Sequence, residues 1–364
     1  MRTVAVHTTM DVPVEDGRSS ISLQTGRAYV MHDVEVASGQ DAGAFEQVSA
    51  VPARPQCFRP GDKLTGRMVV PFIGGLGDAI SLLPVLNSLR HQHAGLRIEV
   101  ATTAGPAEVF NLATCVNKVV GYPLAFADWQ NYDHYLCLEL VHETSQTPGR
   151  PLPAVFANAL GIELTHQDIE LKLPRVAMAA TEAASVPLVG IAVGEGQSLR
   201  SYPSSMLREL VNLLVRQGLG CVLLGHADPA WNIPVCPPII TDMRSRTPTV
   251  LELAVWLRAV DVVVSHDSFI MHLAGALGRP SVGLFAPTSR SHAAPYADTV
   301  PLAAAAECSP CHAVGSACPR GLDRCVAWDD QAVRATAVAN AVFERLHNQG
   351  RRMPGEGSGI AIAL

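Results

Sequence analysis

Charge is scarce in this chain: aspartate, glutamate, lysine and arginine together make 16% of its 364 residues. The formal net charge of −6 argues against a dominant nucleic-acid surface. No run of 18 or more apolar residues occurs, so no segment is read as a membrane span. The opening stretch MRTVAVHTTMDVPVEDG lacks the long apolar core of a secretion signal and reaches acids early, so a cytoplasmic protein is expected. The nine cysteines are an odd number and do not look like a secreted disulfide framework.

Apolar residues, at 48%, are enough for large buried cores, and 364 residues exceed one ordinary core. Residues 1–62 carry short β-type runs and end in the proline-rich VPARPQCFRPGD, which reads as a small β-rich extension and linker. From there strand and helix alternate. RMVVPFI, LRIEVATT, NKVVGY and DHYLCLEL read as strands, and Leu82, Leu83, Leu86 and Leu89 share one helical face. PLPAVFANALG reads as the helix leaving this half. A second half opens near 186. VPLVGIAVG, CVLLG, DVVVSH and SVGLF read as strands there. Helices are expected at SSMLRELVNLLVRQ (Met206, Leu210, Leu213 and Leu214 inward), TVLELAVWLRAV, SFIMHLAGALG and DDQAVRATAVANAVFERLHNQ. Such alternation implies parallel sheets with helices on both sides. The expected domains are therefore 63–180 and 181–348, with a flexible tail over 349–364. Two doubly wound halves facing a cleft would bind ligands at the carboxyl ends of their strands.

Four stretches carry chemistry. GGLGD follows the first strand of the first half. Gly75 and Gly77 let the backbone close on a ligand, but the spacing is not G-x-G-x-x-G and no Walker lysine follows. Asp78 is then either a helix cap or a general base for an attacking hydroxyl. In VVVSHDSFIMHLAGALGRPSVGLFAPT a strand runs into a helix at His266, Asp267 and Ser268. The free N–H groups of that helix make a diphosphate site, with Ser268 as a donor and His272 one turn on. The plainer alternatives are Asp267 as a cap and His272 as a partly buried core residue. The i,i+6 spacing of His266 and His272 speaks against a metal pair. GEGQSLRSYP offers Arg200, a fork of donors suited to phosphate, or else a solvated loop arginine.

The fourth stretch, CSPCHAVGSACPRGLDRC, places Cys308, Cys311, Cys318 and Cys325 at C-x2-C-x6-C-x6-C. Four thiolates in a reducing compartment read as a closed, structural zinc or iron site, with His312 able to replace one. Of the scattered cysteines Cys57, Cys115, Cys137, Cys221 and Cys236, Cys137 and Cys221 lie in apolar runs and read as buried small residues.

In order, these segments resemble the ADP-heptose:lipopolysaccharide heptosyltransferase family, glycosyltransferase family 9, over about 66–345. GGLGDAISLLPVLNSLR is similar to the family's opening strand–GD–helix, whose aspartate is the proposed base. HDSFIMHLAGALGRPSVGLFAPT is similar to its D-[ST]-G-x-x-H-x-A-A-A-L-G-x-P block, and Arg200 falls at a phosphate-contacting lysine. Phe269 replaces the block's glycine, and Ala286 the glycine of its G-P-T. The cysteine stretch has counterparts in the family and resembles the metal finger of protein-modifying autotransporter heptosyltransferases.

The resemblance implies a GT-B fold, α/β, of two Rossmann-like domains. It implies an inverting glycosyltransferase needing no catalytic metal, with a nucleotide-diphosphate sugar, ADP-heptose, as donor. Asp78 would be its base. Arg200, Ser268 and His272 would hold the diphosphate, Asp267 the sugar or ribose, and Asp228 in GHADPA the nucleoside. The acceptor would be a glycan or a protein, at the cytoplasmic side of the inner membrane if a lipid glycan. With a protein as acceptor, residues 1–62 would be an acceptor or oligomer module. A non-catalytic nucleotide-sugar-binding protein and a 2-epimerase-like enzyme are the alternatives on the same fold.

Overall fold

The computed structural model describes residues 2–6, 10–13, 20–24, 27–31, 45–50, 55–138, 150–174, 186–192, 199–225, 239–293, 296–311 and 317–350. The chain divides into two compact units, Met1–Thr147 with Leu152–Lys172, and Pro148–Pro151 with Leu173–Leu364. Among the described residues no helix is long and apolar enough to cross a membrane.

The first unit begins with strands β1 (Arg2–Val6), β2 (Met10–Pro13), β3 (Ser20–Leu23), β4 (Ala28–Met31) and β5 (Phe45–Ala50). β2 and β3 pair with each other, and β1 lies antiparallel between β4 and β5. A parallel sheet follows, built from β6 (Gln56–Cys57), β7 (Gly66–Phe72), β8 (Leu96–Thr102) and β9 (Lys118–Gly121). Between these run α1 (Leu76–Gln92) and α2 (Ala104–Leu112). β10 (Leu124–Ala125), α3 (Phe126–Trp129), β11 (His134–Tyr135) and α4 (Leu152–Leu160) complete the unit. The parallel sheet has the order β6-β11-β7-β8-β9. Met68–Phe72 of β7 are buried one after another, as expected of a strand covered on both faces. Leu82, Leu83, Leu86 and Leu89 are buried on α1, as their spacing predicts.

β10 lies outside the parallel sheet and pairs antiparallel with β4 of the N-terminal strands. Val4, Leu23, Tyr29, Val30 and Met31 share one core with Val69, Ala101, Tyr122, Trp129 and Tyr132. Val4, Leu23, Val30 and Met31 each stabilise by roughly 1.5–3 kcal/mol on burial, so these strands are built into the first unit. The strand expected over 133–140 is short, and residues 139–149 lie outside the described part.

Cys137 differs from its expected place. It is half-buried rather than core, whereas Cys221 is buried in the second unit. Cys57 pairs in register with Tyr135, and Cys137 lies two residues on, toward the same face. The Cys137 thiol bonds the Cys57 sulfur and holds the Cys57 thiol down to about 6, against burial, with Tyr135 and Arg59 assisting. Burial pushes Cys115 up to about 11 and Cys221 up to about 12. A thiol reacts as thiolate. Iodoacetamide labelling of Cys57 is therefore expected to rise through about pH 6, while Cys115 and Cys221 stay unlabelled at neutral pH. Peptide mapping across a pH series checks this, and C137A should move the Cys57 midpoint upward.

The second unit carries β12 (Leu188–Ala192), α5 (Ser204–Arg216), β13 (Gly220–Leu223), β14 (Ile240–Asp242) and α6 (Val250–Ala259). β15 (Val262–His266), α7 (Phe269–Ala276), β16 (Ser281–Phe285), α8 (Arg290–Ala293), β17 (Thr299–Ala303) and α9 (Ala335–Asn348) follow. Its six parallel strands are ordered β14-β13-β12-β15-β16-β17. Met206, Leu210 and Leu214 of α5 are buried and Leu213 is partly so. Thr249 and Glu252 close a capping box at the start of α6: the Thr249 hydroxyl accepts the Glu252 N–H and Glu252 accepts the Thr249 N–H.

The last helix starts later than its sequence suggests. The Asp330 carboxylate accepts the N–H groups of Ala332 (2.8 Å) and Ala305 (3.1 Å). Those bonds hold Val326–Asp329 and Gln331–Val333 as short turns, so α9 begins at Ala335.

Candidate functional site

In the first unit, α1 begins where β7 ends, and Gly75 is its N-cap. Asp78 stands at the third helical position, so it is not itself the cap residue. Its carboxylate accepts the Gly75 N–H at 3.0 Å, satisfying a helix-end donor from inside the helix. Glycine suits this turn because neighbours crowd it. A Cβ on Gly74 would fall 2.7 Å from the Phe72 ring and 3.2 Å from the Asp78 Cβ, and one on Gly75 would fall 3.3 Å from the Asp78 oxygen. The Gly77 carbonyl accepts the Ser81 hydroxyl at 3.0 Å. Asp78 remains partly exposed at the carboxyl edge of β7. A cavity of about 460 Å³ lined by Lys63 and His93 belongs to the far end of α1 and shares none of these residues.

In the second unit the chain order of the strands reverses between β12 and β15, the two strands at the centre of the sheet. Crossovers depart to opposite sides there and leave a crevice beyond the strand ends, where doubly wound sheets take ligands. His266 closes β15, and its Nδ1 lies 3.3 Å from the Ala192 carbonyl at the end of β12. Ser268 is the N-cap of α7, with extended backbone. Its hydroxyl lies 3.2 Å from the Ser265 hydroxyl rather than bonding a helix N–H.

Asp267 is therefore not the cap. It is buried, and its two oxygens face two nitrogens: Arg200 Nη1 at 3.7 Å and His272 Nε2 at 3.9 Å. The other nitrogen of His272, Nδ1, lies 2.9 Å from the Tyr296 hydroxyl. His272 is buried, but as a polar link and not as an apolar core residue. Arg200, Asp267, Ser268 and His272 thus meet around one helix N-terminus, where the backbone N–H groups attract an anion. Phe269 is the first residue of α7 and partly exposed.

Several residues that hold this site carry no motif. The Leu199 carbonyl accepts the Trp328 indole N–H at 3.0 Å, and the Tyr202 hydroxyl donates to the Val333 carbonyl at 2.8 Å. Tyr202 and Trp328 meet edge to face at 5.4 Å. These buried aromatics fix the loop that presents Arg200. Thr288, just past β16, is buried with no partner for its hydroxyl among the described residues, which suits a ligand oxygen or a water. At the end of β14 the Arg244 guanidinium bonds Asp242 at 2.8 Å and holds its carboxyl below the usual range.

Asp228 and His312 lie outside the described residues. Cys308, Cys311, Cys318 and Cys325 are free thiols. Among the described residues no group of three or more histidine, cysteine or acidic side chains could hold a metal ion as placed. The segment is nonetheless anchored at both ends. The Ser309 hydroxyl donates to the Ala286 carbonyl beyond β16, and Cys325 leads directly into the turn carrying Trp328. Burial pushes the Cys325 thiol up, and the charges of Cys311 and Cys308 add to this.

Residues 152–319 match the model of glycosyltransferase family 9 (heptosyltransferase). The lipooligosaccharide heptosyltransferase 2 of Haemophilus influenzae is 30% identical over 127 residues, which is 31% of this chain and 35% of that protein. The match thus spans about a third of that relative's length. In fold, the chain is similar to the ADP-heptose lps heptosyltransferase II of E. coli, with a TM-score of 0.58 and 14% identity over 78% of this chain and 100% of that one. It is also similar to the iron-containing dodecameric glycosyltransferase TibC of enterotoxigenic E. coli H10407 (TM-score 0.57, 15% identity, 96% of this chain and 91% of that one). Over residues 152–319, then, this chain is similar to the domain of glycosyltransferase family 9, the heptosyltransferase family.

Proposed function

We propose that this protein is a glycosyltransferase that moves a heptose from ADP-heptose to an acceptor hydroxyl, with inversion at the anomeric carbon. The observation that carries the reading is the meeting of Arg200, Asp267, Ser268 and His272 at the N-terminus of α7. In the reaction the acceptor oxygen bonds the anomeric carbon while the bond to the diphosphate oxygen breaks. Negative charge grows on the leaving diphosphate, and Arg200, the Ser268 hydroxyl, His272 and the helix N–H groups receive it. Asp267 takes sugar or ribose hydroxyls. Its pairing with Arg200 and His272 offsets a charge that would otherwise repel the diphosphate. Asp228 is assigned to the nucleoside. Asp78 takes the acceptor's proton, a role suited to a partly exposed carboxylate at a strand end.

We assign Cys308, Cys311, Cys318 and Cys325 to a structural zinc or iron. The donor chemistry, four thiols within one loop, fits a soft metal. Gathering the sulfurs would tighten a segment tied to Ala286 at one end and, through Trp328, to Leu199 at the other. The metal would supply rigidity and no step of the transfer. Elemental analysis distinguishes the two metals.

The test is calorimetric titration with ADP- and UDP-sugars, followed by turnover with glycan and protein acceptors. Binding of ADP-heptose and acceptor-dependent release of ADP are expected. Release of an altered sugar without acceptor would favour the 2-epimerase-like reading. Binding without turnover on any acceptor would favour a non-catalytic protein, with the partly exposed Phe269 reshaping the donor site.

A further inference from the structure

We propose that Tyr296 is a positioning residue that sets the tautomer of His272, so that Nε2–H faces the donor diphosphate; this rests on the reading of the α7 terminus as the donor site. The Tyr296 hydroxyl lies 2.9 Å from His272 Nδ1, and the Asp267 carboxylate lies 3.9 Å from Nε2. The Asp267 carboxylate only accepts, so it favours a hydrogen on Nε2. The phenol can donate or accept, and with the hydrogen on Nε2 it donates to the unprotonated Nδ1 and holds that arrangement. The reverse tautomer would turn the Nε2 lone pair toward the Asp267 carboxylate and toward any phosphate bound beside it. Both the carboxylate and a phosphate oxygen want a donor there, and Tyr296 secures it from the other side of the ring.

A second feature of the chain is shaped for this contact. Gly275 lies three residues on from His272, on the same face of α7. A Cβ on Gly275 would fall 2.2, 2.4 and 2.6 Å from the Tyr296 Cγ, Cδ2 and Cδ1 atoms. The tyrosine ring rests on bare backbone and meets the imidazole edge to face, at 5.8 Å and 78°. The block that this segment resembles has alanine at this place. Glycine costs about 1 kcal/mol of helix propensity relative to alanine, and here it makes room for the ring that reaches His272.

The test uses the full-length protein labelled with ¹⁵N-histidine, with ADP as the ligand. In the wild type the His272 signals should report hydrogen on Nε2. Y296F keeps the ring and removes the hydroxyl. It should shift His272 toward a mixture of tautomers and weaken ADP binding by roughly five- to tenfold, the worth of one hydrogen bond. G275A should displace the ring and give the same two changes, although alanine favours the helix. An unchanged tautomer in Y296F overturns the proposal, including when ADP affinity falls, because the role would then be packing alone. Loss in G275A without loss in Y296F overturns it for the same reason. If the wild type does not bind ADP, the donor-site reading fails by itself, and the tautomer comparison still decides the role of Tyr296.

Discussion

Replacing Asp78 by asparagine is expected to lower turnover by roughly 10²–10⁴-fold, the usual contribution of a general base, with ADP affinity unchanged. This variant separates the two roles open to the residue. Asparagine keeps a carbonyl oxygen where the carboxylate now accepts the Gly75 N–H at 3.0 Å. The helix start is therefore preserved while the base is removed. Were Asp78 only a support for the first turn of α1, D78N would turn over at close to the wild-type rate. D78A would then cost about 1 kcal/mol of stability and little else. Initial rates at saturating donor, beside thermal unfolding of both variants, decide it. A D78N enzyme within a few-fold of wild type would sink the base assignment.

Arg200→Ala is expected to have the next largest effect, a loss of roughly 10²–10³-fold in kcat together with weaker donor binding. Two effects add here. The cation facing the leaving diphosphate is gone, and the Asp267 carboxylate, 3.7 Å from the guanidinium, is left with His272 beside an incoming anion. The backbone of the loop should hold, because Trp328 bonds the Leu199 carbonyl and Tyr202 bonds Val333. Arg200→Lys keeps the charge and loses the planar fork, so it should fall between alanine and wild type. Steady-state kinetics and calorimetry with ADP check both. If R200A binds and turns over like wild type, the arginine belongs to the loop surface and not to the donor.

Much of the architecture was legible because periodicity survives folding. The runs at Val262–His266 and Ser281–Phe285 read as strands covered on both faces, and both are buried throughout. The leucines of α1 and α5 declared their inner faces in the same way. Short elements were less legible. β14 (Ile240–Asp242) offers three residues, too few for a period to show. β17 (Thr299–Ala303) holds Pro301, which argues against a strand, yet it lies at the edge of its sheet, where a missing N–H is tolerated. β10 pairs with β4, about ninety residues earlier, a choice made by burial around Tyr29, Val30 and Leu124 that no local pattern records.

The sequence by itself determined the alternation of strands and helices, the placing of Asp78, Arg200, Asp267, Ser268 and His272 in segments that follow strands, and the crowding of four cysteines into one stretch. Those features are local: they depend on residue type and spacing along a short stretch. Only the tertiary structure decided that Asp267 faces Arg200 and His272 instead of capping a helix, and that Asp78 bonds Gly75 from the third helical position. It also brought Tyr296 to His272 and Trp328 to Leu199, residues 24 and 129 positions apart. The physical reason is common to all of these. A buried polar group must find a partner, and the partner is whichever donor or acceptor the packing of distant elements places within reach.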